Sequence, residues 1–168
     1  MVLSGAIKDR MDDLKKRMQE EITKLEHELR SELPKEILKA RAHGDLRENA
    51  EFHAAKERQR YVDSRLSKLK LRLAELSLVD VSKIPRDRVG LGSKVVLLDL
   101  DKNEEISYRL VASEESDVSN GLISTSSPIG KGLLGKKVGD EVTIPIPGGQ
   151  RKLEILELTT VHDVTDPE

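Results

Sequence analysis

Tyr61-Val62-Asp63-Ser64-Arg65-Leu66-Ser67-Lys68-Leu69-Lys70-Leu71-Arg72-Leu73-Ala74-Glu75-Leu76 decides the fold of the first half of the chain. Val62, Leu66, Leu69, Leu73 and Leu76 step by four, three, four and three, which is the heptad seam of a helix that zips onto another helix. Upstream, Met11, Leu14, Met18, Leu25 and Leu29 recur at spacings of three, four and seven. Two such seams separated by a break predict an antiparallel coiled-coil hairpin. The break is Ala42-His43-Gly44-Asp45, where Gly44 suits a helix C-cap and Asp45 the next N-cap. Pro34 either interrupts the first helix or opens a new one. Roughly 30 residues in the second arm, at 1.5 Å each, make a rod of about 45 Å. A rod with a distinctive tip at Gly44–Glu48 suits a protein that reaches into something.

The pattern changes near residue 80. Residues 1–76 hold 18 basic and 15 acidic side chains, whereas 77–168 hold 11 and 16, so the halves carry +3 and −5. Nine of the 11 glycines lie from Gly90 onward. Lys94–Leu98, Ile106–Val111, Leu122–Ser124, Val142–Ile146 and Leu153–Leu158 read as short strands, divided by Asp101-Lys102-Asn103, Asn120-Gly121 and Pro147-Gly148-Gly149. Pro128–Leu134 reads as one short helix, with Ser127 as N-cap and Pro128 at the first helical position. The expected fold is therefore α+β. A hairpin occupies 1–80, a linker with Pro85 occupies 81–91, a small and mostly antiparallel sheet-plus-helix domain occupies 92–160, and 161–168 is a tail.

Composition removes several function classes. Of the 168 residues only Phe52, Tyr61 and Tyr108 are aromatic, too few for modules that read single strands by stacking bases. The absence of cysteine rules out disulfides and zinc–thiolate sites and fits a reducing compartment. No run approaches 18 apolar residues and the N-terminus has no apolar core of signal-peptide type, so a soluble, cytoplasmic protein with no membrane contact is expected; a monomer is expected as well.

Three features could carry chemistry. Asp45 and Glu48 stand three apart at the tip, where they could offer hard oxygen ligands to Mg²⁺. A capping pair at a helix start explains the same spacing, and spacing alone favours it. Two carboxylates are also too few for a protein-only Mg²⁺ site, so any metal work needs further ligands from a partner. Lys56, Arg58, Arg60, Arg65, Lys68, Lys70 and Arg72 face only Glu57 and Asp63 between 56 and 72. This surplus can attract phosphates, or it can be the solvated face of a coiled coil. Ser124–Gly135 is glycine-rich but lacks the Gly-Lys-Ser/Thr ending of a P-loop; a turn with a capped helix, or a docking loop, explains it. His27, His43, His53 and His162 form no zinc or triad pattern, and no hydrolase motif is present.

Gly44-Asp45-Leu46-Arg47-Glu48-Asn49-Ala50-Glu51-Phe52-His53-Ala54-Ala55-Lys56-Glu57 resembles the signature of the bacterial GreA/GreB transcript cleavage factors, and Leu46 with His53-Ala54-Ala55 is closer to the GreA branch. Leu122-Ile123-Ser124, Ser127-Pro128-Ile129-Gly130, Leu133-Leu134-Gly135-Lys136 and Gly139-Asp140-Glu141-Val142 resemble that family's C-terminal signature. Phe52 stands where the family usually has Tyr. The resemblance implies a coiled-coil hairpin followed by an FKBP-like domain. It implies an elongation factor that is not itself an enzyme. The globular domain docks on RNA polymerase through Ser124, Ser127 and Pro128, and the hairpin enters the secondary channel. There Asp45 and Glu48 help hold a Mg²⁺ shared with the polymerase, so that backtracked RNA is cut near its 3′ end. Lys56, Arg58, Arg60 and Arg65 would guide that extruded RNA.

Other classes compete with this reading. A channel-entering regulator without cleavage activity usually has altered tip acids. A prolyl isomerase needs an aromatic-lined pocket, and Tyr108 is the only aromatic in the second half. A plain coiled-coil interaction protein would use Asp45–Glu48 as a helix cap alone.

Overall fold

The computed structural model describes residues 2–44 and 49–163. They divide into two compact units, one of residues 9–79 and one of residues 80–168 together with 1–8.

The first unit is the helical hairpin. Its first arm runs through α1 (Val2–His27), a π-helical turn over Glu28–Glu32 and α2 (Leu33–Arg41); its second arm is α3 (Ala50–Ser77). Met11, Leu14, Met18, Ile22 and Leu25 of α1, Leu33, Ile37 and Ala40 of α2, and Ala55, Val62, Leu66, Leu69 and Leu76 of α3 are buried. The expected seams are therefore present, with Ile22 added and with Leu29 and Leu73 only half-buried. Arg58 pairs with Glu28 and Arg65 with Glu21. Seven residues forward on α3 thus match seven residues back on the first arm, which is the antiparallel sense.

Pro34 stands in the first turn of α2, just past the π-helical turn that interrupts the first arm, and the arm continues through it. His27, Glu32 and Leu33 all keep right-handed helical dihedrals, and the Leu33 N–H donates to Glu28 O, five residues back. A proline in a regular helix leaves the carbonyl four residues back without a donor and collides with it; the wider π-turn relieves that crowding. It also inserts one residue. A heptad step of three from Leu29 would bring the seam to Glu32, yet Glu32 is exposed and Leu33 is 1% exposed. The turn advances the apolar stripe by one position, which lets Leu33, Ile37 and Ala40 stay on the buried face.

The second unit is built on a five-stranded sheet of order β3-β2-β1-β5-β4, with β1 Lys94–Asp99, β2 Glu104–Val111, β3 Leu122–Ser124, β4 Glu141–Ile146 and β5 Gly149–Thr159. Helix α4 (Pro128–Leu133) lies between β3 and β4 in sequence. All neighbours are antiparallel except β2 and β3, which pair in parallel through Arg109–Leu122 and Leu110–Ile123. Alternate residues point inward: Val95 and Leu97, Val142 and Ile144, and Leu153 and Ile155 join Leu110, Ile123 and Leu133 in one core. A bulge opposite Val96 and Leu97 leaves Leu156 outside the β1–β5 register. The α+β architecture expected from the sequence is the one observed.

Two segments differ from expectation. Val89, inside the stretch read as linker, is 1% exposed and belongs to the sheet core. Its backbone bonds to Lys136 O and Gly135 N at 2.8 and 2.9 Å. The start of the expected tail is also built in: Val161 is fully buried and His162 Nε2 lies 2.6 Å from Ile84 O. No helix among the described residues is long and apolar enough to cross a membrane.

Candidate functional site at the hairpin tip

Asp45 and Glu48 lie outside the described residues, so the site is built from the two stems that carry them. On the α2 side, Ala42 is the C-cap, and the His43 and Gly44 N–H groups bond back to Ala40 O and Arg41 O. Gly44 comes two residues after that cap, at φ 111°, a left-handed conformation that glycine adopts without strain. On the α3 side the N-cap is Asn49 and not Asp45. The Asn49 Oδ1 accepts from the Phe52 N–H at 3.0 Å, which satisfies one of the donors orphaned at a helix start. Its Nδ2 donates to Ala40 O at 2.5 Å, nine residues away. One side chain therefore caps the second arm and ties it to the end of the first.

Aromatic contacts reinforce this closure. The Arg41 guanidinium sits 5.7 Å from the Phe52 ring centroid, within cation–π range. Phe52 and His53 meet edge to face with centroids 5.8 Å apart. Below the loop, α2 and α3 border an open groove of about 690 Å³ lined by Glu36, Lys39, His43, Glu51 and Arg58 among others. His43 Nε2 reaches Glu51 at 3.9 Å across it.

The basic face is less free than its composition suggests. Arg58 grips Glu28 through Nε at 2.6 Å and Nη2 at 3.0 Å, and Arg65 grips Glu21 in the same way at 2.9 and 3.2 Å. Lys70 pairs with Glu26 at 2.7 Å and Arg72 with Glu75 at 3.1 Å. Hydrogen bonding from Lys70 and from Arg58 holds the Glu26 and Glu28 carboxyls below the usual glutamate range. Lys56 bonds Gln59 at 3.2 Å. Among the described residues Arg60 and Lys68 have no ion-pair partner and are exposed. Of the four residues expected to guide RNA, two have their charge matched inside the hairpin, while Lys56 and Arg60 form no ion pair among the described residues.

In the globular unit, Ser124, Ser127 and Pro128 do come together in the β3–α4 turn. Ser127 caps α4, accepting from the Gly130 N–H at 3.0 Å and donating to Ser124 O at 2.7 Å. Ser124 and Ser126 share a hydroxyl cluster with Ser113, at 2.7 to 3.0 Å. Ser113 sits eleven residues upstream of Ser124, and no spacing in the sequence points to it. Tyr108 is half-buried and packs against the core of the sheet.

Comparison with known proteins matches both units. The N-terminal domain of transcription elongation factors matches residues 12–77, and the C-terminal GreA/GreB domain matches residues 84–160. Transcription elongation factor GreA of Nitratiruptor sp. is 49% identical over 142 residues, covering 83% of this chain and 87% of its own. The GreA of Desulfotalea psychrophila is 46% identical over 145 residues, covering 86% and 90%. Among solved structures, a GreA/GreB factor from Nitrosomonas europaea is 35% identical, covers 56% of this chain and 78% of its own, and has a TM-score of 0.41. With nearly half of its residues shared with GreA proteins over more than four-fifths of its length, the chain belongs to the GreA/GreB family of transcription elongation factors.

Proposed function

We propose that this GreA-type elongation factor enters the secondary channel of bacterial RNA polymerase hairpin first and stimulates cleavage of backtracked RNA by lending Asp45 and Glu48 to the polymerase active site. The observation that carries the proposal is the identity of the α3 cap. Asn49, bonded to the Phe52 N–H, is the N-cap of α3, which supports a role for the tip acids other than that cap.

The donor chemistry fits a shared Mg²⁺. Carboxylate oxygens are the ligands this hard cation prefers, and two of them leave most of its octahedral shell to others. Two carboxylates do not complete the shell of this cation, so the remaining ligands would come from the polymerase and the RNA. When bound, the ion supplies charge stabilisation at the scissile phosphate and a water of lowered pKa. The chain's own part is to carry two acids on a narrow stem and to hold them in place. Lys56 and Arg60 attract the extruded RNA through its phosphates, without reading its bases. The turn of Ser124, Ser127 and Pro128 docks on the polymerase.

The test is cleavage in purified, stalled bacterial elongation complexes with Mg²⁺, comparing the wild type with Asp45→Asn/Glu48→Gln. Rapid shortening of the RNA 3′ end by the wild type, lost in a variant that still binds polymerase, is the expected result. Binding without cleavage by either protein would make the chain a channel-entering regulator instead. Absence of binding would overturn the channel reading altogether.

A further inference from the structure

We infer that Asn49 is a positioning residue for the cleavage reaction, setting the tip acids by bolting the two stems of their loop together; this rests on the proposed role of Asp45 and Glu48. The two ends of its amide act in different directions. Oδ1 accepts from the Phe52 N–H at 3.0 Å, fixing the start of α3, while Nδ2 donates to Ala40 O at 2.5 Å, fixing the end of α2. Ala40 is itself 2% exposed, so the anchor on the far side is part of the hairpin core. Ala40 and Asn49 are thereby joined by a bond that spans nine positions, and both acids lie between them in the sequence.

A capping role alone does not explain this choice of side chain. Asn, Asp and Ser cap helices about equally well, yet only Asn also offers an N–H donor. Asp in its place would set a carboxylate oxygen against the Ala40 carbonyl. Ser ends one bond short of the amide nitrogen and offers a single polar atom. Both keep the cap and lose the clamp, and Ser does so without adding charge. Displacement of a reacting group by about 1 Å can slow a reaction roughly 100-fold, so a loosened loop base should appear in the chemistry before it appears in the fold.

The experiment compares the full-length wild type, Asn49→Asp, Asn49→Ser and Asp45→Asn/Glu48→Gln for polymerase affinity, thermal melting, and cleavage rate as a function of Mg²⁺. Both Asn49 variants are expected to bind polymerase and to remain folded at the assay temperature, to cleave roughly 10- to 100-fold more slowly at limiting Mg²⁺, and to recover part of the rate at high Mg²⁺. A residue that only stabilised the fold would not shift the Mg²⁺ midpoint. Wild-type rates and midpoints in both variants, with the double acid variant inactive, would overturn the clamp and leave the proposed function standing. Loss of binding or of folding in both would overturn it too, making Asn49 a structural residue. An active double acid variant would refute the underlying role of the tip.

Discussion

The guanidinium of Arg58 meets the carboxylate of Glu28 fork to fork across the hairpin, Nε to Oε1 at 2.6 Å and Nη2 to Oε2 at 3.0 Å. Glu28 is the first residue of the π-turn and Arg58 also lies 5.1 Å from the Tyr61 ring. The pair therefore braces the first arm at the one place where its helix is widened. Hydrogen bonding to Glu28 raises the Arg58 pKa, and the same bond lowers that of Glu28.

A double-mutant cycle with Arg58→Met and Glu28→Gln should give a coupling free energy of about 1 kcal/mol, the upper end for exposed pairs, because the geometry is bidentate. Raising the salt to about 1 M should shrink it, since the Debye length there is about 3 Å. Urea unfolding at two ionic strengths measures both. A coupling of zero at low salt would reduce this contact to decoration.

The same carboxylates make hairpin stability pH-dependent. Glu26 and Glu28 are held below the ordinary value of 4.5 by bonds from Lys70 and Arg58. A depressed folded pKa means that the unfolded chain binds protons first, so the stabilisation is complete above about pH 4.5 and disappears as pH falls through the lower folded values. Thermal melts between pH 7 and pH 3 should show a steeper acid decline in the wild type than in Glu26→Gln/Glu28→Gln. Parallel curves would mean that other carboxylates control the acid limb.

The π-turn should behave as a counted residue. Deleting Ser31 returns the seam to regular heptad steps, but it forces Pro34 into an ordinary helical turn. That environment disfavours proline by about 3 kcal/mol. The deletion alone should therefore be strongly destabilising, and adding Pro34→Ala should recover most of the loss. Circular dichroism melts of the two variants check this. Equal stability of the single and double variants would show that the insertion does not answer to the proline.

Each of these features was legible in the sequence to a different depth. The seam of α3 could be read because a period of 3.5 leaves its mark within one segment. The meaning of Pro34 could not, because it depends on whether the preceding turn can widen. The tip break was visible, but Asp45 and Asn49 both suit an N-cap. What selects Asn49 is the Ala40 carbonyl, which only the closed hairpin brings near. Charge was misleading for a related reason: the partners of Arg58 and Arg65 lie 30 and 44 positions away, so a basic face counted along one arm includes charge that the other arm already neutralises. The strands were legible from their alternation. The parallel pairing of a strand as short as Leu122–Ser124 with β2 was not, because it leaves no periodic trace.

The β3–α4 turn supplies a test of docking that leaves every proposed contact residue in place. Gly130 is buried against Ser124, and a Cβ at position 130 would overlap the Ser124 carbonyl oxygen. That oxygen also accepts the Ser127 hydroxyl at 2.7 Å and the Ser127 N–H at 3.1 Å, so neither the backbone nor the cap can yield independently. Gly130→Ala should push α4 away from β3, destabilise the globular unit by about 1–3 kcal/mol as overpacking does, and separate Ser124 from Ser127 and Pro128. Gly149→Ala is the control, because a Cβ there meets nothing within 4 Å. If the turn is the docking surface, competition binding should show polymerase affinity falling for Gly130→Ala at temperatures where the variant remains folded, and staying level for Gly149→Ala. Unchanged affinity in a Gly130→Ala protein with a demonstrably altered turn would move the docking surface elsewhere on the domain.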